Sequence, residues 1–356
     1  MKVLSKHFWL FILDYLLKRP NIENGFLPDV IQEEDHHLLG AERKVLLPSK
    51  DWRPYRSAGE QQKRANSSET MACTIYSTLN VCETIMNRMK VMVDNKEADE
   101  ETQELVKIFK HFDFYEDDEA NLSDPFTAKM SGTSYRGNTF NNVFNSIRND
   151  GLIAEKFWAT PEQYSWNEYY KDIPQAIKDK AKRFTNYVEV KYERINASQF
   201  NQTKVYSPNT TSVYAGAGWN NASIKPRATQ RHNHAVCSDY DEKDFSGIFD
   251  SYIPFNKRVA PNYGLGAGRI VSFILKKKIK NKYEELLSEG TKYIITPEDH
   301  HKFYKVTKDG LVYIATREEI AKEIANDTDL DKNLLDLIPQ KKVMFVPNSY
   351  YDKLIK

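Results

Sequence analysis

The chain has 356 residues and carries 51 lysines and arginines against 50 aspartates and glutamates. This balance excludes the strongly basic surface that would recruit nucleic acid or an anionic membrane. The length indicates two domains or one domain of two lobes, and a hydrophobic content of 40% is enough for a sizeable core. Three cysteines are too few for a disulfide framework, so we expect free thiols in a reducing compartment such as the cytoplasm.

Residues 1–46 are predicted to form an N-terminal arm or a prosegment-like extension. Their apolar run at 8–13 is broken by Asp14 and is too short to span a membrane. No small-residue cleavage site follows this run, which favours a docking helix over 8–18 rather than a secretory signal. We expect the rest of the arm to be mostly irregular.

Helical periodicity dominates the stretch 47–185, which is the predicted helical lobe. The longest apolar pattern predicts a central helix over 71–93, for which Ser68 and Thr70 are plausible N-caps. Further helices are predicted at three places: 102–112, the segment that Gly151 ends, and 161–185 with an interruption near Pro174.

After residue 186 apolar and polar residues alternate, which predicts an antiparallel sheet in a β-rich lobe over 186–280. The strands are predicted at five places: 187–195, 212–217, 234–240, 246–252 and 268–276. A basic connector over 277–287 leads to short strands and a charged helix at 317–325, which we assign to a small C-terminal accessory unit over 281–356. A helical half followed by a strand-rich half indicates the α+β class.

Cys73 is the strongest candidate for a nucleophile among the cysteines. A thiol attacks as the thiolate, and its pKa must fall from roughly 8.5 for this to happen near neutral pH. The start of a helix lowers a thiol pKa, and Cys73 lies in the first turn of the predicted central helix. Cys82 faces away from Cys73 on that helix, and Cys237 lies within a strand, where free cysteines are usually buried.

A base for this thiol is predicted at His234, which opens the apolar strand 234–240. A histidine at the mouth of a strand can be held by its neighbours while it faces a cleft. Asp250 follows in the next strand, and a hairpin between the two strands would bring its carboxylate to the second ring nitrogen. His232 points to the same side of an ideal strand but precedes the apolar run, so it ranks lower.

The stretches that carry these residues resemble, in the same order, those of papain-like cysteine peptidases over roughly 47–276. LPSKDWRPY resembles the start of the mature enzyme, ETMACTIYSTLN the segment in which the nucleophile opens the central helix, and NHAV the histidine motif. GTSYRGNTFNNVFNSIRNDGLIAEKFWA is similar to the substrate loop and the helix after it. GIFDSYIPFNKRVAPNYGLGAGRI is similar to the segment of the third catalytic residue. A weaker likeness is to members encoded by bacteriophages, for which the location would be the host cytoplasm or the virion.

The resemblance implies a two-lobed papain-like fold and hydrolysis of peptide or amide bonds through a thioacyl-enzyme on Cys73. His234 would act as general base and acid, and Asp250 would orient it in the place of the family's asparagine. A carboxylate favours the imidazolium more than an amide does, so the exchange is compatible with catalysis.

The resemblance also implies an oxyanion hole and a loop that binds the substrate backbone. The family's glutamine, absent six positions before the cysteine, is assigned to Gln62, with Gln61 and Asn66 as alternatives. Gly137 and Asn138 would pair with an extended substrate, although they also suit an ordinary turn and a helix N-cap.

Other functions are compatible with the same residues. The poor oxyanion motif fits a catalytically weak or inactive scaffold that binds peptide, and the triad alone does not separate hydrolysis from transfer to an amine, as in a transglutaminase-like enzyme. The clusters EEDHH (33–37), EDHH (298–301) and HNH (232–234) could chelate a metal, although neighbouring histidines rarely do so without a third ligand. We expect no metal or other cofactor, a polypeptide substrate, and neither a nucleic-acid nor a membrane partner; the sequence leaves the oligomeric state open.

Overall fold

The computed structural model describes residues 25–29 and 44–276, except 217, 222, 228 and 229, together with four strands beyond residue 276. The chain divides into two compact units, Met1–Lys278 and Ile279–Lys356. The first unit has a helical part followed by an antiparallel sheet, which confirms the predicted α+β class. Within the described segments, no helix is long and apolar enough to cross a membrane.

The helical part is organised around its longest helix, most of whose side chains are buried. The helices are α1 (Cys73–Asp94), α2 (Glu100–His111), α3 (Asp124–Met130), α4 (Phe140–Asp150), α5 (Trp166–Tyr169), α6 (Gln175–Phe184) and, among the strands, α7 (Phe200–Thr203). A short hairpin of β1 (Tyr115–Glu116) and β2 (Glu119–Ala120) lies between α2 and α3.

Six strands form the main sheet in the order β3-β8-β4-β5-β6-β7, and each neighbouring pair is antiparallel. The strands are β3 (Val188–Ile195), β4 (Asn209–Val213), β5 (His234–Glu242), β6 (Phe245–Phe249), β7 (Asn256–Val259) and β8 (Gly268–Leu275). α1 packs against β5 and β4, and also against α2 and α4, so the start of α1 and the start of β5 lie in one buried region.

The predicted apolar faces are buried as expected. On α4 the side chains of Phe140, Val143, Phe144 and Ile147 are fully buried, and their spacing places them on one face of the helix. Gly151 ends this helix with φ 88° and donates its N–H to Ile147 O at 3.1 Å.

The start of α1 differs from the prediction, because neither Ser68 nor Thr70 caps it. Ala72 is the N-cap and makes no side-chain cap hydrogen bond, whereas Thr70 Oγ1 donates to Gln62 O at 2.9 Å. Met71 has a left-handed φ of 57° at the turn into the helix. The first-turn N–H groups therefore receive no acceptor from the N-cap side chain, and Cys73 stands at this electropositive end.

Three other boundaries also differ. The alternative interpretation of Asn138 as the N-cap of α4 does not hold, because Thr139 accepts from Asn142 N at 3.1 Å and Asn138 instead donates its side-chain amide to Ser131 and Thr133. The strand predicted at 212–217 is β4, which begins and ends earlier in the chain, at Asn209 and Val213. The helical stretch 161–185 divides at Pro174 as expected, but α5 is a single turn.

The unit Ile279–Lys356 contains a four-stranded sheet in the order β11-β10-β9-β12. Its strands are β9 (Tyr293–Thr296), β10 (Lys302–Thr307), β11 (Gly310–Ile314) and β12 (Val343–Phe345). β9 and β12 are parallel, and the other pairs are antiparallel. The predicted arm helix over 8–18, the connector over 277–287 and the charged helix over 317–325 lie outside the described residues.

Candidate active site

Cys73 is the first residue of α1, and its side chain is fully buried. Its thiol is hydrogen-bonded by the backbone N–H of Ala235, the residue after His234. Burial raises the pKa of the Cys73 thiol well above its usual value, and the negative charges of Glu69 and Asp250 act in the same direction. The thiol is therefore neutral in this state of the protein.

His234 and Asp250 are brought together by the hairpin of β5 and β6. His234 opens β5, Asp250 follows the last residue of β6, and both side chains are fully buried. Nε2 of His234 lies 2.6 Å from Oδ1 of Asp250. Nδ1 of His234 is buried and has no hydrogen-bond partner, the thiol of Cys73 included. Because Asp250 holds Nε2, Nδ1 is the nitrogen that remains to exchange a proton with a substrate or a thiol.

Four donors surround the Asp250 carboxylate. Oδ1 faces His234 Nε2 and accepts the backbone N–H of Ser251 at 2.7 Å. Oδ2 accepts the indole N–H of Trp219 and the ammonium group of Lys257, each at 2.7 Å. Burial alone would raise the pKa of Asp250, but His234 and Lys257 outweigh it and lower the pKa to about 2. Asp250 is therefore a stable carboxylate despite its burial.

Gln62 lies in the loop before α1 and is fully buried beside Ser251. Its backbone N–H donates to Ser251 O at 3.1 Å, and its Oε1 accepts from Ser251 Oγ at 2.8 Å. Its Nε2 donates to Glu69 Oε1 at 2.6 Å and to Tyr252 Oη at 2.8 Å. Because an amide nitrogen carries two hydrogens, Gln62 has none left for an oxyanion in this state.

Glu69 is a half-buried carboxylate that closes this network four residues before the cysteine. Besides the Gln62 amide, it accepts the backbone N–H of Met71 at 3.3 Å and the phenol of Tyr252 at 2.8 Å. Burial, followed by the charge of Glu69, raises the pKa of Tyr252, so the phenol remains a donor. The donors near the start of α1 thus converge on Glu69.

The described part of the N-terminal arm lies against the loop predicted to bind substrate. Asn138 N donates to Gly25 O at 2.8 Å, and Leu27 N donates to Asn138 O at 2.8 Å, so that Phe26 and Asn138 form a parallel β-bridge. Phe26 N also donates to the carbonyl of Asn233, the residue before His234, at 3.3 Å. The arm therefore occupies backbone groups on both sides of the candidate site.

Two glycines allow the arm to approach this closely. Gly25 and Gly137 have φ values of 84° and 94°, which favour glycine. A Cβ on Gly137 would lie 1.6 Å from Gly25 O, and one on Gly25 would lie 2.1 Å from Met71 O. The close backbone approach expected at Gly137 is made here by the chain's own arm.

Asp29 anchors the arm after this crossing. Its Oδ1 accepts the N–H of Asn141, in the first turn of α4, at 3.0 Å. Its Oδ2 lies 3.0 Å from Nη2 of Arg269, and both side chains are buried, with 8% and 1% of their surface exposed. A paired carboxylate at a helix N-terminus is favourable, so this contact stabilises the bound arm.

The remaining sequence candidates are placed elsewhere. Nδ1 of His232 lies 2.9 Å from Ser212 Oγ, which engages this ring away from Asp250. Gln61 is half-buried, and Asn66 lies in an exposed turn with φ 60°. Cys82 and Cys237 are free and fully buried.

The metal hypothesis finds no support in the described part of the chain. In HNH, the His232 ring is hydrogen-bonded to Ser212 and the His234 ring to Asp250. Within the described residues, no group of three His, Cys, Asp or Glu side chains is arranged to hold a metal ion. The clusters at 33–37 and 298–301 lie outside those residues.

Sequence reasoning missed Trp219, Lys257, Glu69 and Tyr252. Lys257 had a usable signal, because in β7 the period of two places it on the buried face with Val259. Trp219 comes from an irregular segment, and no periodicity relates it to Asp250. Glu69 stands in the polar stretch NSSET before α1, and no spacing rule relates it to Gln62.

The solved structures to which this chain is similar are papain-like cysteine proteases, the family that the sequence motifs resemble. Xylellain, a cysteine protease from Xylella fastidiosa, matches with a TM-score of 0.45 and 15% identity over 70% of this chain and 95% of its own. Digestive procathepsin L2 from the larval midgut of Tenebrio molitor matches with a TM-score of 0.44 and 12% identity over 71% and 76%. Bromelain from Ananas comosus, in complex with the inhibitor E64, matches with a TM-score of 0.40 and 15% identity over 62% and 97%.

No protein-family model matches the sequence, and no curated protein sequence does so. Identities this low do not establish an activity, so the roles below rest on the geometry of the site.

Proposed function

We propose that this protein hydrolyses peptide or amide bonds as a papain-like cysteine peptidase. The observation that carries the proposal is the 2.6 Å contact between His234 Nε2 and Asp250 Oδ1, which leaves Nδ1 buried and unpartnered. Leaving a buried polar atom unpaired costs free energy, which a histidine with a purely structural role would avoid. The next residue of β5, Ala235, contacts the Cys73 thiol, so nucleophile and base belong to one site.

In the proposed reaction, Cys73 Sγ transfers its proton to His234 Nδ1 and the thiolate attacks the substrate carbonyl carbon. The imidazolium then donates this proton to the leaving amine, and the C–N bond breaks to give a thioester on Cys73. Water attacks the thioester while His234 accepts its proton, and the thiol leaves with a proton returned to it. Asp250 orients the ring and stabilises the imidazolium throughout.

The oxyanion of each tetrahedral intermediate would be held by the backbone N–H of Cys73 and by Gln62 Nε2. The N–H of Cys73 is a first-turn group of α1 and has no intrahelical partner. The Gln62 amide is bound to Glu69 and Tyr252 in the resting state. We infer that a substrate carbonyl replaces one of these two partners when it binds.

The arm supports a latent resting form within this proposal. The backbone groups of Asn138 and Asn233 that it occupies are those with which an extended peptide would form a β-bridge. Substrate entry then requires Gly25, Phe26 and Leu27 to leave these groups, by displacement or after cleavage of the arm.

A non-catalytic peptide-binding scaffold is the second candidate. Two observations favour it: the thiol is buried without a bond to His234, and both hydrogens of the Gln62 amide are engaged. In that case the β-bridge to Asn138 would serve to hold a peptide rather than to present it for cleavage.

The test combines thiol labelling with cleavage of a peptide mixture of random sequence. We expect iodoacetamide to alkylate Cys73 at pH 6 much faster than Cys82 or Cys237, and mass spectrometry to detect new peptide termini that a Cys73→Ala variant does not produce. Added glycine methyl ester separates hydrolysis from transfer, because transfer yields the amide of this amine. Equal, slow labelling of all three thiols without cleavage, also in a variant with a weakened arm such as Asp29→Ala, would support the scaffold.

A further inference from the structure

Lys257 is buried directly behind the Asp250 carboxylate. The two charged groups are 2.7 Å apart, and neither side chain is exposed to solvent. The same ammonium group donates to Tyr252 O at 2.6 Å and to Pro254 O at 2.7 Å, which uses all three of its hydrogens. The turn between β6 and β7 therefore closes around this cation and holds it against one edge of the carboxylate.

The two oxygens of Asp250 have different tasks. Oδ1 faces the imidazole of His234, and Oδ2 faces Lys257 and Trp219. A lone carboxylate in a buried site would add a full negative charge beside a thiol that must itself become negative. A lysine paired with it cancels that charge at short range while it leaves Oδ1 available to the ring.

We propose that Lys257 is a positioning residue for the reaction, which makes the Asp250–Lys257 pair act on His234 as a nearly neutral hydrogen-bond acceptor. The pair then orients the imidazole and leaves the charge of the thiolate–imidazolium pair balanced. The role of Lys257 in catalysis rests on the proposed function. The charge compensation itself can be measured without turnover.

Other ionisable groups that act on this site come from several elements. Glu69 acts on the thiol from the loop before α1. Tyr252 donates to Glu69, and its ring lies tilted against the His234 ring with centroids 5.3 Å apart. Burial raises the pKa of Tyr170, which follows α5, so this phenol adds no charge near the thiol. Burial, followed by the positive charge of Lys257, lowers the pKa of Lys225. None of these groups is altered in the variants of the experiment, so the wild type and the variants differ only in the charges of Asp250 and Lys257.

The experiment measures the rate of Cys73 alkylation by iodoacetamide between pH 3 and pH 10. The buried resting thiol is neutral, but in the reacting state of the proposed function it gives its proton to His234 Nδ1, and we therefore expect a wild-type inflection below that of a free thiol. Lys257→Met leaves an uncompensated negative charge, and we expect the inflection to move up by about one pH unit, a size typical of one charge at an effective dielectric constant near 20. Asp250→Asn leaves an uncompensated positive charge and should move it down by a similar amount. The double variant should return it close to the wild-type position.

Lys257→Gln, which keeps a hydrogen-bond donor without the charge, is made in parallel in case Lys257→Met does not fold, and the same upward shift is expected. Lys257→Arg keeps the charge and should leave the inflection in place. The proposal is overturned if both neutral variants lower the alkylation rate without moving the inflection, since a merely structural lysine would act in that way.

A second readout keeps this inference separate from the proposed function. If the wild-type thiol shows no early inflection, the proposed nucleophile fails, but the His234 ring can still be titrated by NMR. We then expect Lys257→Gln to move the ring titration to higher pH by about one unit, or about tenfold in proton affinity. An unmoved titration would contradict the charge compensation in either case.

Discussion

Asp250 in the β-rich lobe and three buried acids in the helical lobe have pKa values shifted in opposite directions. In the sheet lobe, Asp250 has a pKa of about 2, because His234 and Lys257 outweigh the effect of burial. In the helical lobe, burial raises the pKa of Asp124, Glu83 and Glu155, and the neighbouring carboxyl of Glu60 raises each of them further. Asp250 thus holds a buried negative charge, whereas burial favours the protonated form of the three acids in the helical lobe.

The difference shows what each of these two sites requires of its acids. Glu83 Oε1 accepts the N–H of Leu122 at 2.7 Å, and Glu155 accepts the N–H of Thr160, so both serve as polar links in a packed helical core. A protonated acid can do this without the desolvation cost of a charge. Asp250 must instead hold and orient the His234 ring, and its charge is kept there because Lys257, Trp219 and Ser251 also donate to it.

The largest effect is expected when the buried charge pair of the sheet lobe is broken. Asp250→Ala leaves Lys257 buried without its counterion, and we expect the free energy of unfolding to fall by about 3–5 kcal/mol. Urea denaturation at pH 7 measures this change. The double variant Asp250→Ala/Lys257→Met should recover much of the loss, and an equal loss in both variants would show that the pair is not the cause.

Removing the Gln62 amide should lower the rate strongly while the thiol stays intact. Gln62→Ala deletes one proposed oxyanion donor, and we expect kcat to fall by about 10²–10³ with little change in KM. The rate of Cys73 alkylation serves as the control, since it involves no tetrahedral oxyanion. A fall in alkylation as large as that in kcat would indicate damage to the thiol environment instead.

In the helical lobe, the effect of removing an acid should depend on pH. The pKa of Glu155 is about 7, raised by burial and then by Glu60, so the folded state binds a proton more tightly than the unfolded state does. The stability contributed by this proton is complete below about pH 4.5 and is lost as the pH rises through 7, by about 3 kcal/mol in total. Denaturation curves between pH 4.5 and 7.5 should show this decline for the wild type.

The decline should be much smaller in Glu155→Gln, which accepts from Thr160 but cannot ionise. Glu162→Gln, on the exposed surface of the same lobe, is the matched control and should keep the wild-type slope. If both variants retain that slope, Glu155 is not the titrating group.

Glu69 is half-buried and accepts hydrogen bonds from the neutral donors Gln62 and Tyr252. Glu69→Gln weakens its hold on the Gln62 amide and removes a negative charge near the thiol. We expect kcat to rise by up to about tenfold and the Cys73 alkylation inflection to move to lower pH, by less than in Asp250→Asn. A lower kcat would show that Glu69 orients Gln62 for catalysis rather than withholding it.

The smallest effect is expected from the anchor of the arm. Asp29→Ala removes the contacts to Arg269 and Asn141, so the arm should compete less well with a peptide, and KM should fall by about threefold with kcat unchanged. Asp51→Ala, which breaks an exposed pair with Arg53, provides the control. An unchanged KM would place the arm's main attachment in its backbone contacts.

The sequence was sufficient for those features that follow from periodicity. The helical spacing of α1 placed Cys73 in its first turn, and the alternation of β5 and β6 placed His234 and Asp250 at the same end of a hairpin. The end of α4 at Gly151 followed from the need for a positive φ. In each case a repeated local preference decides the structure.

The features that could not be predicted depend on irregular backbone. Trp219 reaches Asp250 from a loop, and the N-caps expected at Ser68 and Thr70 were replaced by the left-handed turn at Met71. Gln62 could be suggested only through the resemblance, because no spacing rule relates it to Glu69. Lys257 could have been placed from the period of β7, but a lysine on the buried face of a strand only makes sense once its partner is known.

The four donors around Asp250 have a consequence for the timing of catalysis. The carboxylate cannot rotate without breaking contacts to His234, Ser251, Trp219 and Lys257 together, so the ring it holds has no freedom to search among orientations. The loss of conformational entropy that aligning a base normally entails is incurred when the sheet folds. Substrate binding then needs to move only the arm and the Gln62 amide, and the imidazole is preorganised before any peptide arrives.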